Sequence, residues 1–313
     1  MDKTAIRVVT GRAALLAGLC CAALWAHAAT SATIAVDCDA GGTIMGAVAK
    51  VQPGDTVLVS GYCKEHVSIA PEIVRITLDG QKKTTVHHPG KAASPHAVYI
   101  RGKEITIKGF TVTGGLDGIH LSGPASTLID GNIVIKNSGR GIHIDKGSIA
   151  RILNTTVEES GGIGIDVTGA SYAYIGVFIP RVPALAPNII RNNGGPGINI
   201  ERTAGAWIVG NTISNNKGNG IAVHRNAQAD VIANTINANG GDAISVSFGS
   251  GVNFASEPRK DGPNQTAAGQ SNGGVAIRCM AGGYVDGPMG TLAGTQGAKV
   301  FDSGCVDRLT GTR

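Results

Sequence analysis

Six equivalent positions along the chain carry His120, His143, Asp166, Asn199, Ala222 and Ser245. Two residues beyond each stand Ser122, Asp145, Thr168, Glu201, His224 and Ser247. Histidine beside a carboxylate titrates near neutrality and can take or give a proton. If these positions stack at the ~4.8 Å spacing of neighbouring strands, with alternate side chains ~7 Å apart, His143, Asp145 and Asp166 must cluster. His143 is the expected general base or acid, oriented by Asp166 or Asp145, with His120 and His224 on either side. Glu201, Arg202, His224 and Arg225 are expected to hold substrate, and Lys146 occupies the same turn position as the two arginines. Such cations suit an acidic sugar or a developing enolate-like charge. The matching reaction is β-elimination from a polyuronate, in which a base removes the proton alpha to a carboxylate. The plainer expectation for the same residues is a solvated face. A metal set of His120, His143 and Asp166 has workable separations at one ligand per coil. No metal and no cofactor is nevertheless the expectation, and calcium would want denser carboxylates.

A second column holds Arg151, Tyr174, Trp207 and Asp230. Aromatic faces stack on sugar rings, so Tyr174 and Trp207 are expected as a glycan platform, or else as a ladder that stiffens the sheet. A ten-residue insertion within the segment Gly176 to Pro187 leaves the chain beside Tyr174 and would wall that side.

The elements that position these residues follow from a repeat. A Gly-apolar-x-apolar motif begins at Gly118, Gly141, Gly164, Gly197, Gly220 and, with alanine first, Ala243, in steps of 23, 23, 33, 23 and 23 residues. A fixed period in this range marks a solenoid whose units bury apolar surface only against their neighbours. Within each motif apolar and polar residues alternate, the period of a strand. Two further apolar columns follow, Ile129, Ile152, Ile175, Ile208, Val231 and Val134, Val157, Ile190, Ile213, Ile236. Three inward columns per 23 residues mean three short strands per turn, a right-handed parallel β-helix. Two polar ladders, Asn132, Thr155, Asn188, Asn211, Asn234 and Asn137, Ser160, Asn193, Asn216, Asn239, are expected as turn staples, because asparagine tolerates left-handed backbone and its amide can bond from coil to coil.

The first 28 residues read as a secretory signal: Lys3, Arg7 and Arg12, then an apolar run from Ala13 to Trp25, then Ala26-His27-Ala28. The run is too short to span a membrane. Cys38, Cys63, Cys279 and Cys305 then remain, and in an oxidising compartment they allow three pairings. Cys38–Cys63 and Cys279–Cys305 are favoured, since a solenoid keeps its ends apart. The net charge of +5 falls to about +3 without the signal's three basic and one acidic residues, too little to imply nucleic acid. A monomer, periplasmic or extracellular, is expected.

Residues 29–60 form an N-terminal cap and first strands, with a helix over Thr43–Val51 that turns Ile44, Ala47, Val48 and Val51 to the open first coil. Residues 61–250 form the coils, and 251–313 a loop and a disulfide-closed C-terminal cap, the periodicity stopping after Phe248. The helix cap, the stretch Pro53-Gly54-Asp55-Thr56-Val57 and the 23-residue coils resemble the pectin-lyase-like superfamily of exported β-helix proteins over residues 36–250. The resemblance implies the fold and an involvement with carbohydrate. Its members include polysaccharide lyases, glycoside hydrolases, esterases and epimerases, as well as adhesins. Arg181-Val182-Pro183 begins like the pectate lyase arginine motif, but Ala184 follows. Leu116-Asp117-Gly118 is similar to part of a polygalacturonase motif, without the Gly-His-Gly that should accompany it. The expected function is binding of, or action on, an acidic polysaccharide. Its alternative is a non-catalytic surface or adhesion-like protein in which the helix is a rigid spacer.

Overall fold

The computed structural model describes residues 31–92, 94–178, 184–254 and 262–310. The proposed signal at 1–28 and the arginine motif at 181–183 lie outside them. The chain winds as a parallel solenoid of about 11 turns. A ten-stranded sheet stacks Val67–Ile69, Val98–Ile100, Ile119–Leu121, Ile142–Ile144, Ile165–Val167, Ile198–Glu201, Ile221–His224, Ile244–Ser247, Ile277–Met280 and Lys299–Phe301 in that order. The other faces of the coils belong to one eighteen-stranded sheet. The pairings between successive coils are parallel and run residue on residue, apart from a register shift between Asp79 and Thr84: Ile142 opposes Ile119 and Ile165, and Ile144 opposes Leu121 and Val167.

The isoleucine and valine columns fill the interior. Ile119, Ile142, Ile165, Ile198, Ile221 and Ile244 are all fully buried in one continuous core. Because each such residue meets its counterpart one coil away, a substitution at one level is felt at both neighbouring levels. The asparagine ladders are turn staples of the expected kind. Asn211 Oδ1 accepts from the Asn188 backbone N–H at 3.1 Å, and Asn234 Oδ1 from that of Asn211 at 3.0 Å. Each buried amide thus satisfies a backbone donor that the turn would otherwise leave unpaired.

The helix is shorter than expected, Ile44–Val48, with Thr43 as N-cap accepting from Gly46 N–H at 3.1 Å. Glu65 accepts from the Ile44 and Met45 N–H groups at 2.7 and 3.1 Å, completing the helix start. Ile44, Ala47 and Val48 are buried, so the helix covers the first coil with the face the pattern predicts. Cys38–Cys63 and Cys279–Cys305 are bonded, each tying one coil to the next near an end of the stack.

The C-terminal end differs from the expectation of a loop and cap after residue 250. Gly251–Asn253, Ile277–Met280, Tyr284–Pro288, Lys299–Phe301 and Val306–Thr310 continue the stack in register. A second insertion hides the period, since Ile277 follows its partner Ile244 by 33 residues and not 23. Both ladders extend with it, to Asn264 and Asn272. No helix among the described residues is long and apolar enough to cross a membrane.

Candidate functional site

Ten-stranded sheet register brings the polar column together as Tyr99, His120, His143, Asp166, Asn199, Ala222 and Ser245. The His120 and His143 rings stack with centroids 4.3 Å apart. Both residues are only 8% exposed, although they face away from the core isoleucines. Two more charged columns converge on them. Asp145, two residues beyond His143, places Oδ1 3.3 Å from His120 Nε2. His96, Asp117 and Arg140, each one residue before a strand motif, fold in from the preceding turn.

Asp117 is the hub of this group and is 1% exposed. His143 Nδ1 donates to its Oδ2 at 3.2 Å, His96 Nδ1 lies 3.1 Å from the same oxygen, and the Arg140 backbone N–H donates to Oδ1 at 3.2 Å. Burial opposes its charge, but His143 and His96 outweigh burial and hold the carboxyl far below the usual carboxylate range. His120 Nδ1 shares a hydrogen bond with His96 Nε2 at 3.0 Å. Burial, then the neighbouring His143 and His96, push the His120 imidazole down to about 4, with Asp145 and Asp117 opposing. His120 is therefore neutral at physiological pH.

Of the carboxylates expected to orient His143, Asp166 stands 3.8 Å from its Nε2 and is otherwise engaged. Arg140 Nε donates to Asp166 Oδ2 at 2.7 Å and Asn199 Nδ2 to Oδ1 at 2.8 Å. Asp145 sits with His120. The residue that holds the His143 ring is Asp117, absent from the expected set. Its signal was present in sequence as a charged column, His96, Asp117 and Arg140, one step before successive strand motifs. A turn position of that kind has no fixed facing in a strand-based reading, so the column was silent.

Farther up the same sheet lies a second, more open group. His224 Nε2 is hydrogen-bonded to Asn199 Oδ1 at 2.9 Å, and burial lowers its pKa from the ordinary value, with Glu201 opposing. Arg202 Nη1 and Arg225 Nη1 approach Glu201 at 3.0 and 2.8 Å, while their side chains remain 60% and 52% exposed. Thr168 Oγ1 donates to Glu201 Oε1 at 3.4 Å. The two groups are joined through Asp166, Asn199 and His224.

Tyr174 and Trp207 are on a different face. They pair in register on the eighteen-stranded sheet with ring centroids 6.1 Å apart, and Arg151 lies over the Tyr174 ring at 5.4 Å. The insertion forms a hairpin in which Val177 pairs with Leu185, and Val177 packs with Val209, Ile232, Tyr174 and Trp207. The described part of the insertion thus packs beside the aromatic pair, on the eighteen-stranded sheet.

Comparison with known proteins agrees with the winding. Residues 75–179 match the family model described as right handed beta helix region. The chain has the right-handed parallel β-helix fold. Residues 181–254 of this β-helix protein match a second model, described as periplasmic copper-binding protein (NosD). Among solved structures, pectate lyase Pel9A is similar with a TM-score of 0.55 at 13% identity, covering 88% of this chain and 81% of that one. The D317A mutant of the periplasmic alginate epimerase AlgG has a TM-score of 0.54 at 14% identity, covering 82% and 69%. At such identities the likeness concerns the fold. No curated protein matches by sequence.

Proposed function

We propose that this chain is an exported protein that binds an acidic polysaccharide along the outer face of the ten-stranded sheet. In this reading Arg202 and Arg225 hold uronate carboxylates, and His224 removes a proton alpha to one of them. The observation that carries the reading is the pair of exposed guanidiniums beside His224. Each arginine has a nitrogen within reach of Glu201 and has further N–H donors for a planar, bidentate carboxylate. Both residues sit in left-handed turns, with φ of +55° and +60°. A side chain there costs on the order of 1 kcal/mol that glycine would avoid. Burial lowers the His224 pKa and so favours the neutral form that a general base requires. Removal of the proton alpha to a carboxylate begins both elimination and epimerisation of a uronate. The similar structures include a pectate lyase and an alginate epimerase, which supports this substrate class.

Export is supported by the signal-like first 28 residues, by two disulfides and by the periplasmic family name. The copper in that name finds few donors in the matched segment. Residues 181–254 contain one histidine, His224, and neither cysteine nor methionine, so no step is assigned to copper there.

The test is a panel of polyuronates given to the purified protein, read by retardation in affinity gels and by the absorbance of unsaturated products. Retardation that disappears in Arg202→Ala/Arg225→Ala, and product formation that disappears in His224→Gln, are the expected results. A protein that retards on no polyuronate would leave the rigid-spacer reading in its place.

A further inference from the structure

Four buried atoms on the His143 face have no hydrogen-bond partner: His96 Nδ1, which lies against Asp117, and His120 Nε2, His143 Nε2 and Asp145 Oδ1. Orphaned buried polar atoms are rare, because each forfeits its hydration without return. The last three belong to residues that can each offer a ligand atom within 4.8 Å of the others. His120 Nε2 and Asp145 Oδ1 are 3.3 Å apart, about the edge of a tetrahedron whose metal–ligand bonds are ~2.0–2.1 Å. We propose that His120, His143 and Asp145 form a binding site for one divalent first-row transition-metal ion, with zinc or copper as the occupant.

The surroundings are those of a metal site. Ligating imidazoles ordinarily donate their second nitrogen to a carboxylate or another acceptor, which fixes ring and tautomer. His143 does so through Nδ1 to Asp117, and His120 Nδ1 bonds to His96, whose own Nδ1 lies against Asp117. Both Nε2 atoms are thereby left free of protein hydrogen bonds, that of His120 3.3 Å from Asp145 Oδ1. The alternative trio His96, Asp117 and His120 is close enough to be considered, but His120 Nδ1 and Asp117 are already engaged with protein partners, so it serves as the supporting layer. The set considered from sequence, His120, His143 and Asp166, differs by one carboxylate. Both oxygens of Asp166 are taken, by Arg140 and Asn199, whereas Asp145 Oδ1 is free of hydrogen bonds. Two imidazoles and one carboxylate select transition metals over magnesium or calcium. The three ligands lie outside the segment matched to the copper-binding family, so the site rests on its own geometry.

The test is metal binding to the full-length purified protein without a histidine tag, stripped with chelator and titrated calorimetrically with Zn2+, Cu2+, Ca2+ and Mg2+ in the absence of glycan. One equivalent of Zn2+ or Cu2+ per chain is expected, with no heat from Ca2+ or Mg2+. Affinity should fall roughly tenfold or more in His143→Ala and in the shape-conserving Asp145→Asn, and about 10- to 100-fold in Asp117→Asn, a positioning residue. His87→Ala, on the other sheet, should bind like the parent. Circular dichroism of each variant separates lost ligation from lost folding, and X-ray absorption of the zinc form should report two imidazoles. Binding that is unchanged in His120→Ala/His143→Ala, or that has no defined stoichiometry, would overturn the site. Because glycan is absent throughout, either result leaves the polysaccharide reading to its own experiment.

Discussion

The His96–Asp166 group and the Glu201–Arg225 group share one sheet face and one chemistry of histidine, carboxylate and arginine, yet they are built in opposite ways. In the first, Asp117 is almost wholly buried beneath three imidazoles. In the second, Glu201 carries two arginines whose heads are more than half exposed. Burial makes charge expensive unless it is paired, so the first group must be complete to be stable. Exposed ion pairs are worth little to stability, so the second group is free to exchange partners. The difference teaches where, along one continuous ladder, charge fixed by burial gives way to charge that meets solvent.

The largest expected effect tests the buried half. Asp117→Ala removes the acceptor of His143 and strands His96 and Arg140, and should lower stability by about 3–5 kcal/mol, the cost of breaking a buried pair. Denaturant unfolding reads this directly, and a loss under about 1 kcal/mol would erase the contrast with the arginine group. Next in size, Arg202→Ala/Arg225→Ala should move the same unfolding midpoint by less than about 1 kcal/mol while abolishing retention by polyuronate. A destabilisation as large as that of Asp117→Ala would mean that both groups are structural. The smallest effect is in pH. Burial depresses the His224 pKa, so the neutral, base-competent form persists as pH falls through the ordinary imidazole range near 6.5. Any turnover should hold through that range and decline only below it. A decline beginning above pH 7 would place the titrating base elsewhere.

The coil architecture was legible because the core columns repeat at a fixed step, and a strand's facing follows from parity alone. The disulfide pairing was legible for the same reason, since Cys38–Cys63 and Cys279–Cys305 are separated by 25 and 26 residues, about one coil each. The last coils were not legible, because extra residues between Asn253 and Ile277 shift Ile277 off the expected step. The site was half legible. His120, His143, Asp145 and Asp166 share a face as parity requires. Which carboxylate serves which ring depends on side chains entering from the turns, Asp117 and Arg140 above all, and parity says nothing about turns. Tyr174 and Trp207 were placed in register correctly, but the hairpin that packs on them is invisible to a periodic reading.

The two insertions share one corner of the solenoid. The first follows Tyr172–Ile175, and the second begins after Gly251–Asn253, the strands that precede Asn188 and Asn264 of the same ladder. On both sides of the first insertion the coils stay aligned residue on residue, Thr156 on Ile189 and Ile165 on Ile198. That corner is a permissive seam, where added length costs only about 0.6 kcal/mol per doubling of a loop. An epitope or fluorescent peptide spliced at the equivalent corner, Gly131, whose surroundings are open, should leave the stack intact and provide a handle remote from the histidine face.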